Sequence, residues 1–120
     1  MKKVKTFQAT IYCGLKHRES GLLSPLQLAR NVCQNVVNEY GWCVSFTKTE
    51  FIYTEGKEPG VIIGIINYPR FPMEPEELKR RTLDLAETLM TILQQLKVSV
   101  VFSDETIMLE AGEDKERKPK

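Results

Sequence analysis

The chain has 120 residues, a length that suits one domain with a single hydrophobic core. Its 42% apolar and 28% charged residues are typical of a soluble globular protein, and no apolar run approaches the roughly 20 residues of a membrane helix. The formal net charge of +1 argues against general attraction to nucleic acid or anionic lipid. Because the N-terminus also lacks the pattern of a secretory signal, we expect a cytoplasmic protein.

The first predicted element is a strand over residues 4–13, in which apolar and polar side chains alternate. A ten-residue connection, 14–23, follows and carries the basic cluster Lys16, His17 and Arg18. Connections of this length in compact domains are often functional. The cluster is therefore a candidate for ligand contact.

A first helix is predicted between Ser24 and Gly41. Ser24 precedes a proline and Gln27 follows three residues later, a spacing that favours a capping box at the helix start. The apolar residues then recur at helical spacing and form one face: Leu28, Ala29, Val32, Cys33, Val36, Val37 and Tyr40. Gly41 is placed to end the helix.

Two strands are predicted next, over residues 42–53 and 61–68, joined by a turn over 55–60. In the first of these strands the apolar residues change from even-numbered to odd-numbered positions near Lys48 and Thr49, which predicts a β-bulge. The second strand is apolar at both even-numbered and odd-numbered positions, a pattern typical of a strand that is covered on both faces.

A second helix is predicted around Pro75, with acidic residues in its first turn and an apolar stripe that continues to Leu96. A strand over 98–102, a turn and a short strand over 106–109 follow. These elements predict one domain over residues 1–110. Residues 111–120 are charged and poor in large apolar side chains, so we expect a flexible tail.

This order of elements predicts an α+β fold, the ferredoxin-like split β-α-β sandwich (β-α-β-β-α-β) with a short extra C-terminal strand. Both helices should cover one face of an antiparallel or mixed sheet, in which we expect the strands 4–13 and 61–68 to be parallel neighbours. The other face would then be open, although the strand 61–68 is apolar on both sides. A second copy of the chain is the expected cover, so we predict a homo-oligomer. The C-terminal hairpin, the tail or another protein are the alternatives.

The expected parallel pairing would bring two loops to one edge of the domain, beside the start of the first helix. There a small anionic or nucleotide-like ligand could meet an arginine fork and aromatic rings. The residues of this predicted ligand site are Lys16, His17, Arg18, Ser24, Tyr68, Arg70 and Phe71. The alternative is an ordinary basic surface in which Arg70 pairs with Glu74 or Glu77.

The sequence predicts no catalytic residue, metal site or cofactor. Cys13 falls on the inward side of its strand, so a structural thiol is favoured over a nucleophile paired with His17. The three cysteines show no Cys-x-x-Cys spacing, which argues against zinc and a disulfide framework. Glu55 and Glu58 are expected to be solvated turn residues at the end of the sheet opposite the basic loop.

Binding or sequestering of a small anionic ligand is therefore the favoured function. The alternative is a protein-interaction or assembly subunit that has no small ligand. An enzyme whose site lies at a subunit interface is the third hypothesis, which the sequence favours less. The expected partners are a second copy of the chain and the ligand, with neither nucleic acid nor a membrane.

Overall fold

The computed structural model describes residues 1–112 and, within them, a five-stranded sheet and two helices. The elements in chain order are β1 (Gln8–Gly14), α1 (Leu26–Tyr40), β2 (Ser45–Tyr53), β3 (Gly56–Ile66), α2 (Pro75–Ile92), β4 (Lys97–Phe102) and β5 (Thr106–Glu110). This confirms the predicted α+β, ferredoxin-like split β-α-β arrangement with a short fifth strand. The predicted tail lies, from residue 113 onward, outside the described residues.

The sheet has the strand order β2-β3-β1-β4-β5, and each pair of neighbours is antiparallel. The expectation that β1 and β3 are parallel is therefore wrong. The α1 crossover brings β2 back in the same direction as β1, and the following hairpin reverses the chain, so β3 must oppose β1. The register makes this plain, since Gln8 pairs with Ile66 and Gly14 pairs with Gly60.

Both helices lie on one face of the sheet and bury its central strands. The sheet residues of this core are Ala9, Ile11, Cys13, Val61, Ile63, Ile65, Val98, Val100 and Phe102. On α2, Leu85 and Leu89 are fully buried against them. Burying each such aliphatic side chain contributes roughly 1.5–3 kcal/mol relative to its exposure, and this layer is the main stabilising part of the domain.

The β2–β3 hairpin runs without the predicted bulge, because its register is continuous from Ser45 opposite Gly64 to Tyr53 opposite Gly56. The apolar parity changes for another reason. Phe46 faces α1, but the next residues on that face are exposed, since the helix does not cover the far end of the hairpin. Phe51 instead packs on the opposite face, where only a glycine at position 60 leaves room for its ring.

The turn of this hairpin is also shorter than predicted. It consists of Thr54 and Glu55, and Glu55 adopts a left-handed φ of 60°. Residues 56–60, which were predicted as turn, belong to β3. This shift matters for the site, because it places Glu58 inside a strand at a fixed register.

Of the two capping predictions for α1, the one for its C-terminal end is confirmed and the one for its N-terminal end is wrong. Gly41 ends the helix with a left-handed φ of 67°, as predicted, and donates its N–H to the Val37 carbonyl. The capping box at Ser24 is wrong, because Pro25 occupies the N-cap position and no side chain caps the helix start. Ser24 is one residue too early and its hydroxyl contacts His17 instead.

The face of the sheet opposite the helices carries exposed or half-exposed apolar residues, which we name the open face: Tyr12, Phe51, Ile62, Ile66, Val101 and Met108. No single strand supplies them, so the apolar surface crosses the sheet from β2 to β5. In residues 1–112 no helix is long and apolar enough to cross a bilayer.

Candidate functional site

The antiparallel pairing of β1 and β3 separates the residues of the predicted ligand site into two groups. Lys16, His17, Arg18 and Ser24 follow the end of β1, near Gly60 of β3. The turn that carries the other three predicted residues, Tyr68, Arg70 and Phe71, follows the opposite end of β3. The prediction that all seven converge on one ligand is therefore wrong, because it depended on parallel strands.

The basic loop after β1 is held in place by backbone hydrogen bonds. Lys16 and Leu23 form an isolated antiparallel bridge, and the N–H of His17 donates to the Leu22 carbonyl at 2.7 Å. The N–H of Arg18 donates to the carbonyl of Gln94 at 2.9 Å, which ties the loop to the turn between α2 and β4. The loop is thus a small hairpin whose basic side chains have a defined position.

His17 and Ser24 are in direct contact at the base of this hairpin. Nε2 of His17 lies 3.0 Å from Oγ of Ser24, and Ser24 is buried. A hydrogen bond between them orients the imidazole ring. Of the predicted residues, Ser24 therefore supports the loop, whereas His17 also reaches a cavity.

A cavity of about 450 Å³ lies beside the loop, within the size range of small-molecule sites. Its lining combines three predicted residues with four that the sequence did not suggest: Lys16, His17, Arg18, Glu58, Gln95, Leu96 and Lys97. Glu58 was expected at the other end of the sheet, and this expectation is wrong for the same reason of strand direction. The cavity thus combines two lysines and one arginine with a single carboxylate.

Gln95 is the fixed polar group of this cavity, with only 6% of its surface exposed. Its Nε2 donates to the carbonyls of Lys16, at 2.8 Å, and Leu93, at 3.0 Å. Because the two carbonyls accept from the amide nitrogen, the orientation of the amide is determined and Oε1 remains as a free acceptor in residues 1–112.

Gly14 brings this acceptor close to Glu58. A methyl group added to Gly14 would lie 2.5 Å from Oε2 of Glu58 and 2.9 Å from Oε1 of Gln95. The two oxygens therefore share the space above Gly14, and no ion pair of Glu58 is found in the part of the chain that the structure describes. Two neighbouring acceptors without a donor suit an ammonium or amino group of a ligand.

An aromatic pair lies next to the cavity on the open face. The rings of Tyr12 and Phe51 are 6.5 Å apart at an angle of 60°. Tyr12 is two residues from Gly14 on the same face of β1, and Phe51 is directly opposite Glu58 across the hairpin. The aromatic pair therefore lies on the same two strands, and on the same face, as Gly14 and Glu58.

The turn at the opposite end of the sheet makes its own contacts. The guanidinium of Arg70 lies 5.7 Å from the centre of the Phe71 ring, a cation–π contact. Burial, and then a hydrogen bond with Cys43, raise the pKa of Tyr68. Of the two partners predicted as an alternative for Arg70, Glu77 binds two arginines of its own helix, and neither Glu74 nor Glu77 forms an ion pair with Arg70 among the described residues.

The structure argues against a reactive thiol at Cys13. Burial, with smaller contributions from Cys33 and Glu58, raises the pKa of Cys13 to about 12, so the sulfur stays protonated near neutral pH. Its Sγ donates to the Gly14 carbonyl at 3.5 Å. Among the described residues no group of three potential metal ligands is found.

Comparison with known proteins identifies similar folds. No protein-family model and no curated protein matches the chain. A solved structure of a phage SAM lyase in complex with S-methyl-5′-thioadenosine is similar with a TM-score of 0.76 and 19% identity, over 94% of this chain and 97% of that chain. The phage SAM lyase in its apo state is similar with a TM-score of 0.69 and 17% identity, over 92% and 95%. At these identities the likeness establishes the fold.

Proposed function

We propose that the cavity beside the basic loop binds a sulfur nucleoside of the S-methyl-5′-thioadenosine type, and that the chain cleaves S-adenosylmethionine (SAM). The observation that carries this proposal is the mixed-charge cavity, bordered by an aromatic pair, on a fold similar over 94% of the chain to a phage SAM lyase. The proposal narrows the small anionic or nucleotide-like ligand expected from the sequence to a sulfur nucleoside, and it adds an enzyme activity, the hypothesis that the sequence favoured less.

The aromatic pair supports the binding of the base. An adenine ring has two large π faces, and stacking on an aromatic side chain is worth roughly 1–3 kcal/mol per base. Phe51 is fixed over Gly60, so its ring is preorganised. Tyr12 is 39% exposed and offers both a ring edge and a hydroxyl to the ligand.

The charged residues match the amino-acid arm of SAM. This arm carries a carboxylate, an ammonium group and the sulfonium centre. We assign the carboxylate to the cations Lys16, Arg18 and Lys97, and the ammonium to the acceptor oxygens of Glu58 and Gln95. S-methyl-5′-thioadenosine lacks the arm, so it would bind against the aromatic pair at the border of the cavity without these charged contacts.

Cleavage of SAM to S-methyl-5′-thioadenosine needs neither water nor an oxidant. The bond between the sulfur and the γ carbon of the amino-acid arm breaks, and the sulfur keeps the electron pair and becomes a neutral thioether. The γ carbon regains its fourth bond when a carboxylate oxygen of the same arm bonds to it and closes a lactone. Alternatively, the arm loses a proton from its β carbon and forms an alkene, in which case Glu58 is the base that the cavity supplies.

The predicted homo-oligomer is part of this proposal. The open face carries Ile66 and Met108 in exposed positions, and a second copy of the chain would remove this apolar surface from water. The aromatic pair lies on the same face, so a copy seated there would also enclose the nucleoside. Tyr68, Arg70 and Phe71 have no role in the site as proposed.

The test is incubation of the purified chain with SAM, followed by chromatography and mass spectrometry for S-methyl-5′-thioadenosine. We expect the product to accumulate in proportion to protein concentration and time. Glu58→Gln should reduce its formation at least tenfold, whereas the control Glu55→Gln, an exposed carboxylate of the same hairpin, should not. Absence of product above the spontaneous background would refute the lyase activity, and calorimetry with the product nucleoside then tests binding by itself.

A further inference from the structure

A second cavity, of about 330 Å³, lies between α1 and the edge strand β2, away from the basic loop. Its apolar walls are formed by Cys33 and Val37 of α1, by Val44 just before β2 and by Phe46 at the start of β2. It forms because β2 is an edge strand and α1 covers only its first residues. None of its lining residues belongs to the cavity proposed for the nucleoside.

The charge of this second cavity comes from Arg30. Its guanidinium lies 5.2 Å from the centre of the Phe46 ring, which holds its plane in position. Within residues 1–112 Arg30 has no carboxylate partner, and no acidic side chain lines the cavity. Burial raises the pKa of Cys33 to about 11, so this thiol adds no negative charge at neutral pH. The cavity is therefore apolar with a single positive end.

The wall also contains a hydrogen-bond donor without an acceptor. Trp42 is 6% exposed, and its Nε1 is the one buried side-chain N or O atom in the described part of the chain that has no partner. Leaving such a group unpaired costs roughly 1–3 kcal/mol. The Nε1 atom itself is closed to solvent, so this cost remains when a ligand occupies the cavity. Trp42 therefore lines the cavity as part of its apolar wall.

We propose that this cavity binds a small apolar carboxylate, of the class of a medium-chain fatty acid or an aryl-alkanoic acid. The carboxylate pairs with the guanidinium of Arg30, and the hydrocarbon body packs on Val37, Val44 and Phe46. A carboxylate is favoured over a neutral molecule because a hydrogen bond to a charged group contributes more than one between neutral groups. The inference is independent of the function proposed for the other cavity.

Trp42 is the single tryptophan of the chain, so its signals report on this wall alone. The test is a titration with octanoate and, separately, with the neutral octanamide, followed by indole fluorescence and by the one indole N–H resonance. We expect saturable changes with octanoate and an affinity at least tenfold weaker for octanamide. Equal affinities, or changes that never saturate, would overturn the proposal, since they indicate nonspecific apolar contact.

Variants of Arg30 test whether its positive charge binds the carboxylate. Arg30→Met should weaken octanoate binding at least tenfold and leave octanamide binding unchanged, and Arg30→Lys should restore part of the loss. Arg70→Met is the matched control, because Arg70 also lies over a phenylalanine ring but does not line this cavity. Unchanged octanoate affinity in both Arg30 variants would contradict the proposal. So would native mass spectrometry in which octanoate only shifts the number of subunits, since the cavity would then be a contact between copies.

Discussion

Replacement of Gly14 by alanine tests the geometry of the proposed nucleoside site most finely. The added methyl group would lie 2.5 Å from Oε2 of Glu58 and 2.9 Å from Oε1 of Gln95, both closer than ordinary van der Waals contact. Gly14 is not among the glycines with positive φ, so its backbone accepts an alanine. The substitution therefore acts on the two acceptor oxygens and leaves the strand in place.

The effect of Gly14→Ala on stability should be small. Less backbone freedom in the unfolded chain stabilises the fold by about 0.4–1 kcal/mol. Displacement of the Gln95 side chain puts at risk its two hydrogen bonds, each worth about 0.5–1.5 kcal/mol. The free energy of unfolding should thus fall by no more than about 2.5 kcal/mol, as measured by urea denaturation.

The effect on ligand binding should be larger and selective. We expect Gly14→Ala to weaken the binding of SAM at least tenfold, since both acceptors for its ammonium group move. The affinity for S-methyl-5′-thioadenosine, which has no ammonium group, should fall less than threefold in isothermal calorimetry. Gly64→Ala is the control, because its methyl would meet only Oγ of Ser45 on the same face of the sheet. Equal losses for the two ligands, or none for either, would refute the assigned roles of Glu58 and Gln95.

Three further predictions concern the aromatic pair, the open face and acid stability. Phe51→Ala should weaken the binding of S-methyl-5′-thioadenosine about 5-fold to 150-fold by calorimetry, with Tyr53→Ala as the control. An affinity of the Phe51 variant equal to that of the unaltered chain would exclude stacking. Ile66→Lys should dissociate the proposed oligomer in native mass spectrometry, and an unchanged subunit count would place the interface elsewhere. Hydrogen bonds from two arginines of α2 lower the pKa of Glu77 to about 2. Its stabilising effect is therefore present above pH 4.5 and is lost as the pH falls towards 2. Glu77→Gln should flatten the pH dependence of unfolding in this window, and Glu87→Gln should not.

The helices, the strands and the fold class could be predicted from the sequence, because these depend on local patterns. Alternation over β1 and the helical spacing along α1 follow from which side chains are buried. Gly41 could be assigned because a left-handed helix end favours glycine. Local patterns of this kind extend over a few residues and do not depend on the direction of a distant strand.

The candidate site depended on strand direction and was therefore predicted only in part. Lys16, His17 and Arg18 do line a cavity, but the turn with Arg70 lies at the other end of the sheet. The signal for the correct partner was present in the topology, since a crossover followed by a hairpin makes the third strand antiparallel to the first. Applied to the sequence, that rule would have brought Glu58 beside the basic loop.

Some residues of the site had no signal in the sequence. Gln95 lies just after α2, in a turn that the continuous apolar stripe to Leu96 concealed. The change of parity in β2 indicated a bulge, whereas Phe51 faces the open side because α1 stops short of it. Both cases depend on where a helix ends in space, which periodicity along the chain does not report.

The most direct test of the proposed site is a titration of the ¹⁵N-labelled chain with S-methyl-5′-thioadenosine, followed by the backbone amide resonances. The account predicts saturable shifts that concentrate at Tyr12 and Phe51, with little change at the turn that carries Arg70. Shifts centred on that turn, or no shift at millimolar nucleoside, would contradict it.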